Sequence, residues 1–188
     1  MISVVSSDAA ATFDDPVSML SACHDRIRRQ LATLERLARH LPGHGLDADA
    51  RSAARAILRY FDTAARHHHE DEETSLLPRL VARVPEAGDL ARRLLAEHAT
   101  LAANWRRLRP LLAGIATGQR SVLPPRLVVE VAAAYDAHLS VEEDEFVPLA
   151  REALPPGDLA DIGREMALRR GLAWPVSGAA PRGSVPRT

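Results

Sequence analysis

His68, Glu72, Glu73, Leu76 and Pro78 recur in type and spacing as His138, Glu142, Glu143, Phe146 and Pro148, in the stretches HHEDEETSLLP and HLSVEEDEFVP. In each stretch a His is followed by Glu at +4 and +5, a large apolar residue at +8 and Pro at +10. A +4 step is one helical turn, so each His and its first Glu point the same way, with an imidazole nitrogen and a carboxylate oxygen placed to grip one ion. The two stretches read as halves of a metal site. A second echo lies upstream of each half: Leu20, His24, Ile27, Leu31 and Leu34 match Leu94, His98, Leu101, Trp105 and Leu108 in register. The chain is therefore an internal two-fold repeat of His followed by His-x3-Glu.

The intervals from His24 to His68 and from His98 to His138 hold the rest of one helix, a turn and most of another, which suits adjacent antiparallel helices. Asp14 and Asp15 before Pro16 predict a first helix whose Val17, Leu20, His24, Ile27, Leu31, Leu34, Ala38 and Leu41 form one apolar stripe, ended by PGHG. A second helix, opening near Asp47 or Asp49, carries Ile57, Phe61, Ala64, His68, Glu72 and Leu76, and Pro78 should bend or end it. A third, from Glu86 or Asp89, carries Leu94, His98, Leu101, Trp105, Leu108 and Leu112, with a kink expected at Pro110. Pro124 and Pro125 open the fourth, which carries Val128, Val131, Tyr135, His138, Glu142, Phe146 and Leu149; Pro148 repeats the role of Pro78. A short fifth helix is expected over Asp158 to Arg170, followed by a Pro/Gly-rich mobile tail.

The fold class is thus all-α: an up-down four-helix bundle at residues 15–152, an N-terminal segment at 1–14, and a short helix and tail at 153–188. The 188 residues suit one domain, and with 46% hydrophobic but only 4% aromatic residues the core must be built from Leu, Ala and Val. The 24 basic residues, all Arg, nearly cancel the 25 acidic ones and are interspersed with them, so no basic face points to nucleic acid. No apolar stretch approaches the roughly 20 residues that span a bilayer, and no signal peptide opens the chain, so no membrane association and a cytoplasmic location are expected. A single cysteine, Cys23, excludes an internal disulfide and a Cys-rich metal site.

His24, His68, Glu72, His98, His138 and Glu142 all fall in core-facing stripes, where polar groups are costly unless paired. One such His is ordinarily a hydrogen-bonded core residue; four in equivalent positions with two carboxylates point to bound metal. Imidazole and carboxylate donors without thiolate suit iron, manganese or zinc. Ferritin-like di-iron bundles use Glu-x-x-His, whereas here His comes first and the step is four.

In combination, HDRI from His24, HHEDEETSLLP from His68, EHATL around His98 and HLSVEEDEFVP from His138 resemble the bacterial hemerythrin-like (HHE) domains from about Val17 to Leu149. The resemblance implies a four-helix bundle around two non-haem Fe ions, oxo- or hydroxo-bridged, with Zn or Mn as substitutes. It further implies that Glu72 and Glu142 bridge the ions and that His24, His68, His98 and His138 cap them, two of the four on one ion and the remaining two on the other. Oxygen-carrying hemerythrins have a further His one turn after the third-helix His, where this chain has Ala102, so its set of four His and two Glu is one nitrogen donor poorer. Their last helix carries His-x4-Asp, which makes Glu143, at +5, a competitor of Glu142 for the bridge.

His67 and His69, about 100° to either side of His68, are expected at the surface or behind the ligands. Glu70, Asp71 and Glu73 are expected on a solvated face, with one of them able to orient a ligating imidazole. His40 and His44 fall at a helix end and in a loop, Cys23 is read as a packing residue, and Tyr135 lies one turn from His138. The resemblance implies binding or reduction of small oxidants, O2, H2O2 or NO, with weak peroxidase or catalase-like activity as the enzymatic form. The alternative is a non-enzymatic oxygen, redox or iron sensor or an iron-handling protein; a zinc-filled structural bundle is the bland reading.

Overall fold

The computed structural model describes residues 12–173, and among them no strand occurs. The expected tail and most of the N-terminal segment lie outside the described residues. Helix α1 spans Pro16–His44, with Asp15 accepting the Ser18 amide at 2.9 Å and Pro16 at its first position. That cap satisfies an amide with no partner inside the helix, and Pro there lacks only a donor that would go unused. Gly45, at φ 69°, ends α1, a conformation that costs a side chain more than it costs Gly. Asp47 caps α2 (Ala48–Asp62) in the same way, accepting the Ala50 amide at 2.8 Å.

The second long helix breaks at Thr63 and resumes as α3 (Ala64–Asp71), so that Ala65 is buried where Ala64 was expected. Pro78 does not end it. A π-helical turn at Glu72–Leu76, closed by the Leu77 amide on the Glu72 carbonyl, leads into α4 (Leu77–Arg83) with Pro78 in its first turn. The fourth long helix repeats the device. There α6 (Pro125–Val141) passes through a π-turn at Glu142–Phe146 into α7 (Val147–Ala153), the Val147 amide bonding the Glu142 carbonyl. The wider turn shifts the hydrogen-bond register before the proline and so absorbs its missing donor. Between these lies α5 (Gly88–Thr117), preceded by a 3-10 turn at Pro85–Ala87 and running through Pro110 without interruption. The short last helix, α8, spans Pro156–Arg169.

Neighbouring long helices are antiparallel throughout: Tyr60 meets Cys23, Arg55 meets Ala116, Arg107 meets Glu130, and Glu143 meets Arg28. These pairs close α1, α2–α4, α5 and α6–α7 into an up-down bundle. Its core is two apolar clusters. One gathers Ile27, Leu34, Ile57, Leu108 and Val131; the other gathers Leu20, Leu80, Leu94, Phe146 and, from α8, Ile162 and Met166. Along α1 and α5 the change from one cluster to the other falls at His24 and His98, between Leu20 and Ile27 and between Leu94 and Leu101. A buried polar layer therefore separates the two halves of the core.

Candidate metal centre

Six side chains make that layer: His24 from α1, His68 from α3, Glu72 from the first π-turn, His98 from α5, His138 from α6 and Glu142 from the second π-turn, all buried. Donor atoms of His24, His68, Glu72 and Glu142 lie within 4.8 Å of one another, and so do those of Glu72, His98, His138 and Glu142. The two groups share both carboxylates. Glu142 turns Oε2 to His24 Nε2 at 3.1 Å and to His68 Nε2 at 3.8 Å, and Oε1 to His138 Nε2 at 3.0 Å and to His98 Nε2 at 3.7 Å. Glu72 divides likewise, Oε1 lying 3.5 Å from His68 Nε2 and Oε2 3.3 Å from His98 Nε2. One oxygen of each carboxylate thus faces each His pair.

These contacts lack hydrogen-bond geometry: Nε2 of all four His and both oxygens of both Glu are buried without a partner. Leaving so many polar atoms unpaired in a low-dielectric core costs several kcal/mol per ion. Their convergence suits a pair of cations, and the donor types suit hard to borderline metals such as iron. Burial and the charge of Glu142 raise the Glu72 carboxyl. Burial would raise Glu142 too, but the surrounding imidazoles, His138 foremost, hold it well below the usual carboxylate range. Burial opposes protonation of His98, yet Glu142 and Glu72 lift it to about 10. His68 and His138 are raised for similar reasons. Without metal, protons on His68, His98 and His138 balance the buried carboxylates, and a cation entering the site displaces them.

The outer nitrogens of three imidazoles are anchored. Nδ1 of His24 donates to Glu143 at 3.1 Å, Nδ1 of His98 to Glu73 at 2.8 Å, and Nδ1 of His138 to Glu97 at 2.9 Å. Such bonds fix the tautomer and turn Nε2 inward. Glu143, itself paired with both guanidinium nitrogens of Arg28, is therefore outside the cluster, and Glu142 is the carboxylate inside it. The +5 glutamates cross the repeat, Glu73 of the first half holding His98 of the second and Glu143 of the second holding His24 of the first. Glu97 had no signal in the sequence. Its register equivalent, just before His24, is Cys23, buried and with its thiol pushed up by burial; His68 Nδ1 has no partner among the described residues.

One expectation fails here. Asp71 is not on a solvated face: it is fully buried beside Glu72, paired with Arg169 and Arg170, the latter at 2.7 Å. Of the two places expected for His69, it takes the one behind the layer: its ring stacks on His98, centroids 4.2 Å apart, and its Nε2 is buried. Burial and the neighbouring His98 hold its imidazole well below the ordinary histidine range. The register equivalent of His69 is Leu139, fully buried, so the +1 position faces inward in both halves. His67 is half-buried, and His40 and His44 stack on each other away from the layer, His40 bonding the Asp47 cap at 2.8 Å. Tyr135 is buried against Phe61, and Ala102 is exposed.

An antiparallel four-helix bundle with a buried His/Glu layer shared by two sets of donors defines a metal-binding bundle of the hemerythrin type. The chain matches the hemerythrin HHE cation binding domain over residues 15–150 and belongs to that family. It is also similar to an uncharacterised protein of Haemophilus influenzae, 33% identical over 160 residues, which span 85% of this chain and 92% of the relative.

Proposed function

We propose that this chain is a non-haem di-iron protein that binds or reduces small oxidants, O2, hydrogen peroxide or nitric oxide. His24 and His68 would hold one ion and His98 and His138 the other, with Glu72 and Glu142 shared between them. What supports the reading is the division of each carboxylate, one oxygen toward each His pair, at buried atoms that have no other partner. Iron held there would supply electrons and a binding position for a small oxidant. The protein's own part is positioning and exclusion. Glu73, Glu97 and Glu143 aim three imidazoles, and Leu20, Leu94 and Phe146 on one side with Ile27 and Leu101 on the other close the layer to bulk water. Zinc or manganese would fit the same donors, but two shared carboxylates favour a dinuclear, higher-coordinate metal over four-coordinate zinc.

A second reading, a sensor without turnover, is favoured by Asp71. It precedes Glu72 and is tied to Arg169 and Arg170 at the end of α8, so occupancy at the π-turn has a direct mechanical route to the C-terminal helix.

Protein produced with iron available should carry about two irons per chain and show a near-ultraviolet charge-transfer band; one zinc per chain without that band overturns the assignment. Anaerobic reduction followed by stopped-flow exposure to O2, nitric oxide and hydrogen peroxide then separates the readings. Peroxide turnover that is lost in Glu142→Ala marks an enzyme, while reversible binding without turnover marks a sensor or carrier.

A further inference from the structure

The donor groups that the six residues form are joined by a third that they do not explain: ring nitrogens of His69, His98 and His138 lie within 4.8 Å of one another. His69 sits one residue beyond His68 on α3, yet it faces the other His pair. Its ring stacks on His98 at an interplanar angle of 14° and stands edge-on to His138, centroids 5.8 Å apart. Its Nε2 is buried with no partner, the same condition as the Nε2 atoms of the four layer imidazoles. An imidazole nitrogen in that state wants a proton acceptor, a proton donor or a metal, and the described residues supply neither of the first two.

Resting on the di-iron reading above, the geometry points to His69 as a fifth nitrogen donor, to the ion held by His98 and His138. The place that Ala102 leaves on α5 is then filled from a different helix. Ala102 and His69 line the same cleft of about 360 Å³, with Leu101, Trp105 and Tyr135 also on its walls, so a small residue at 102 leaves room for the His69 ring beside His98. The centre becomes asymmetric. The His98–His138 ion carries three imidazoles and the two bridging carboxylates, while the His24–His68 ion carries two imidazoles and the same carboxylates. The place for a small oxidant would then be at the His24–His68 pair, which has one nitrogen donor fewer.

The test counts imidazoles. In the full-length protein reloaded anaerobically with iron(II), each ligating His contributes one solvent-exchangeable ring N–H proton to the strongly shifted region of the proton NMR spectrum. Wild type should show five such signals, and both His69→Ala and His69→Gln should lose one while keeping iron content within about two-fold of wild type. Four signals in wild type, unchanged in either variant, would overturn the assignment of His69 and leave the four-His reading standing. No shifted signals in wild type would remove both. Because the wild-type count decides by itself, a variant that fails to fold does not protect the inference.

Discussion

Glu142 and Glu143, adjacent in the chain, take opposite nitrogens of one imidazole: Oε2 of Glu142 lies 3.1 Å from Nε2 of His24, and Oε1 of Glu143 lies 3.1 Å from Nδ1 of the same ring. One is buried between four His; the other is part-exposed and held by Arg28. The two glutamates therefore have different work, and substitutions at them should differ in kind.

Glu142→Ala should abolish stable iron binding, because it removes an oxygen from both donor groups. Glu143→Gln should retain both ions but weaken them about 10- to 100-fold, the usual cost of removing a carboxylate behind a ligating His. Chelator competition on each purified variant measures this. Equal loss in both would mean that Glu143 is itself a ligand.

Removing the metal should destabilise the fold. At a free metal concentration a thousand times Kd, binding adds about 4 kcal/mol, which for a chain of this size corresponds to a drop in Tm of about 10 °C on stripping. Calorimetry of loaded and chelator-treated protein checks it; identical melting curves would deny the layer its dependence on a cation.

The metal-free protein should lose stability as pH rises. His98 is lifted from its ordinary 6.5 to about 10 by Glu142 and Glu72 against the opposing effect of burial. A group raised in the folded state contributes fully below pH 6.5, and that contribution disappears as pH climbs through about 10. Tm of the apoprotein should fall across this window, while the iron-loaded protein, whose cations replace the protons, should lack the fall and bind metal more tightly with rising pH. A flat apoprotein profile would contradict the assigned charge state.

Asp71→Ala should cost about 3 kcal/mol, since it leaves the guanidinium groups of Arg169 and Arg170 near the core without their carboxylate. The loss should be greatest in α8, read as faster amide hydrogen exchange over Pro156–Arg169. Unchanged exchange there would show that Ile162 and Met166 alone hold the helix in place.

The repeated His-x3-Glu spacing, the apolar stripes at three- and four-residue steps and the Asp and Pro helix starts were enough to place four helices and to pick out His24, His68, Glu72, His98, His138 and Glu142. These are local properties, because a helical turn brings i and i+4 together whatever surrounds it. Several features needed the neighbours. Whether Glu142 or Glu143 enters the layer depends on where α1 lies, since Arg28 and His24 draw Glu143 outward. Glu97 acquires a role only when α6 sets His138 beside it, and Asp71 is buried only because α8 folds back over it. The prolines at 78 and 148 announce a disturbed helix, but the sequence did not say that the chain would widen into a π-turn and go on, where Leu77, Leu80, Val147 and Ala150 beyond it are buried in the core. His69 shows the limit most clearly. A helix in a four-helix bundle touches two neighbours, so its inward arc is wide enough for His68 to face one His pair and His69 the other, and the assembled bundle sets which flank of His68 turns inward.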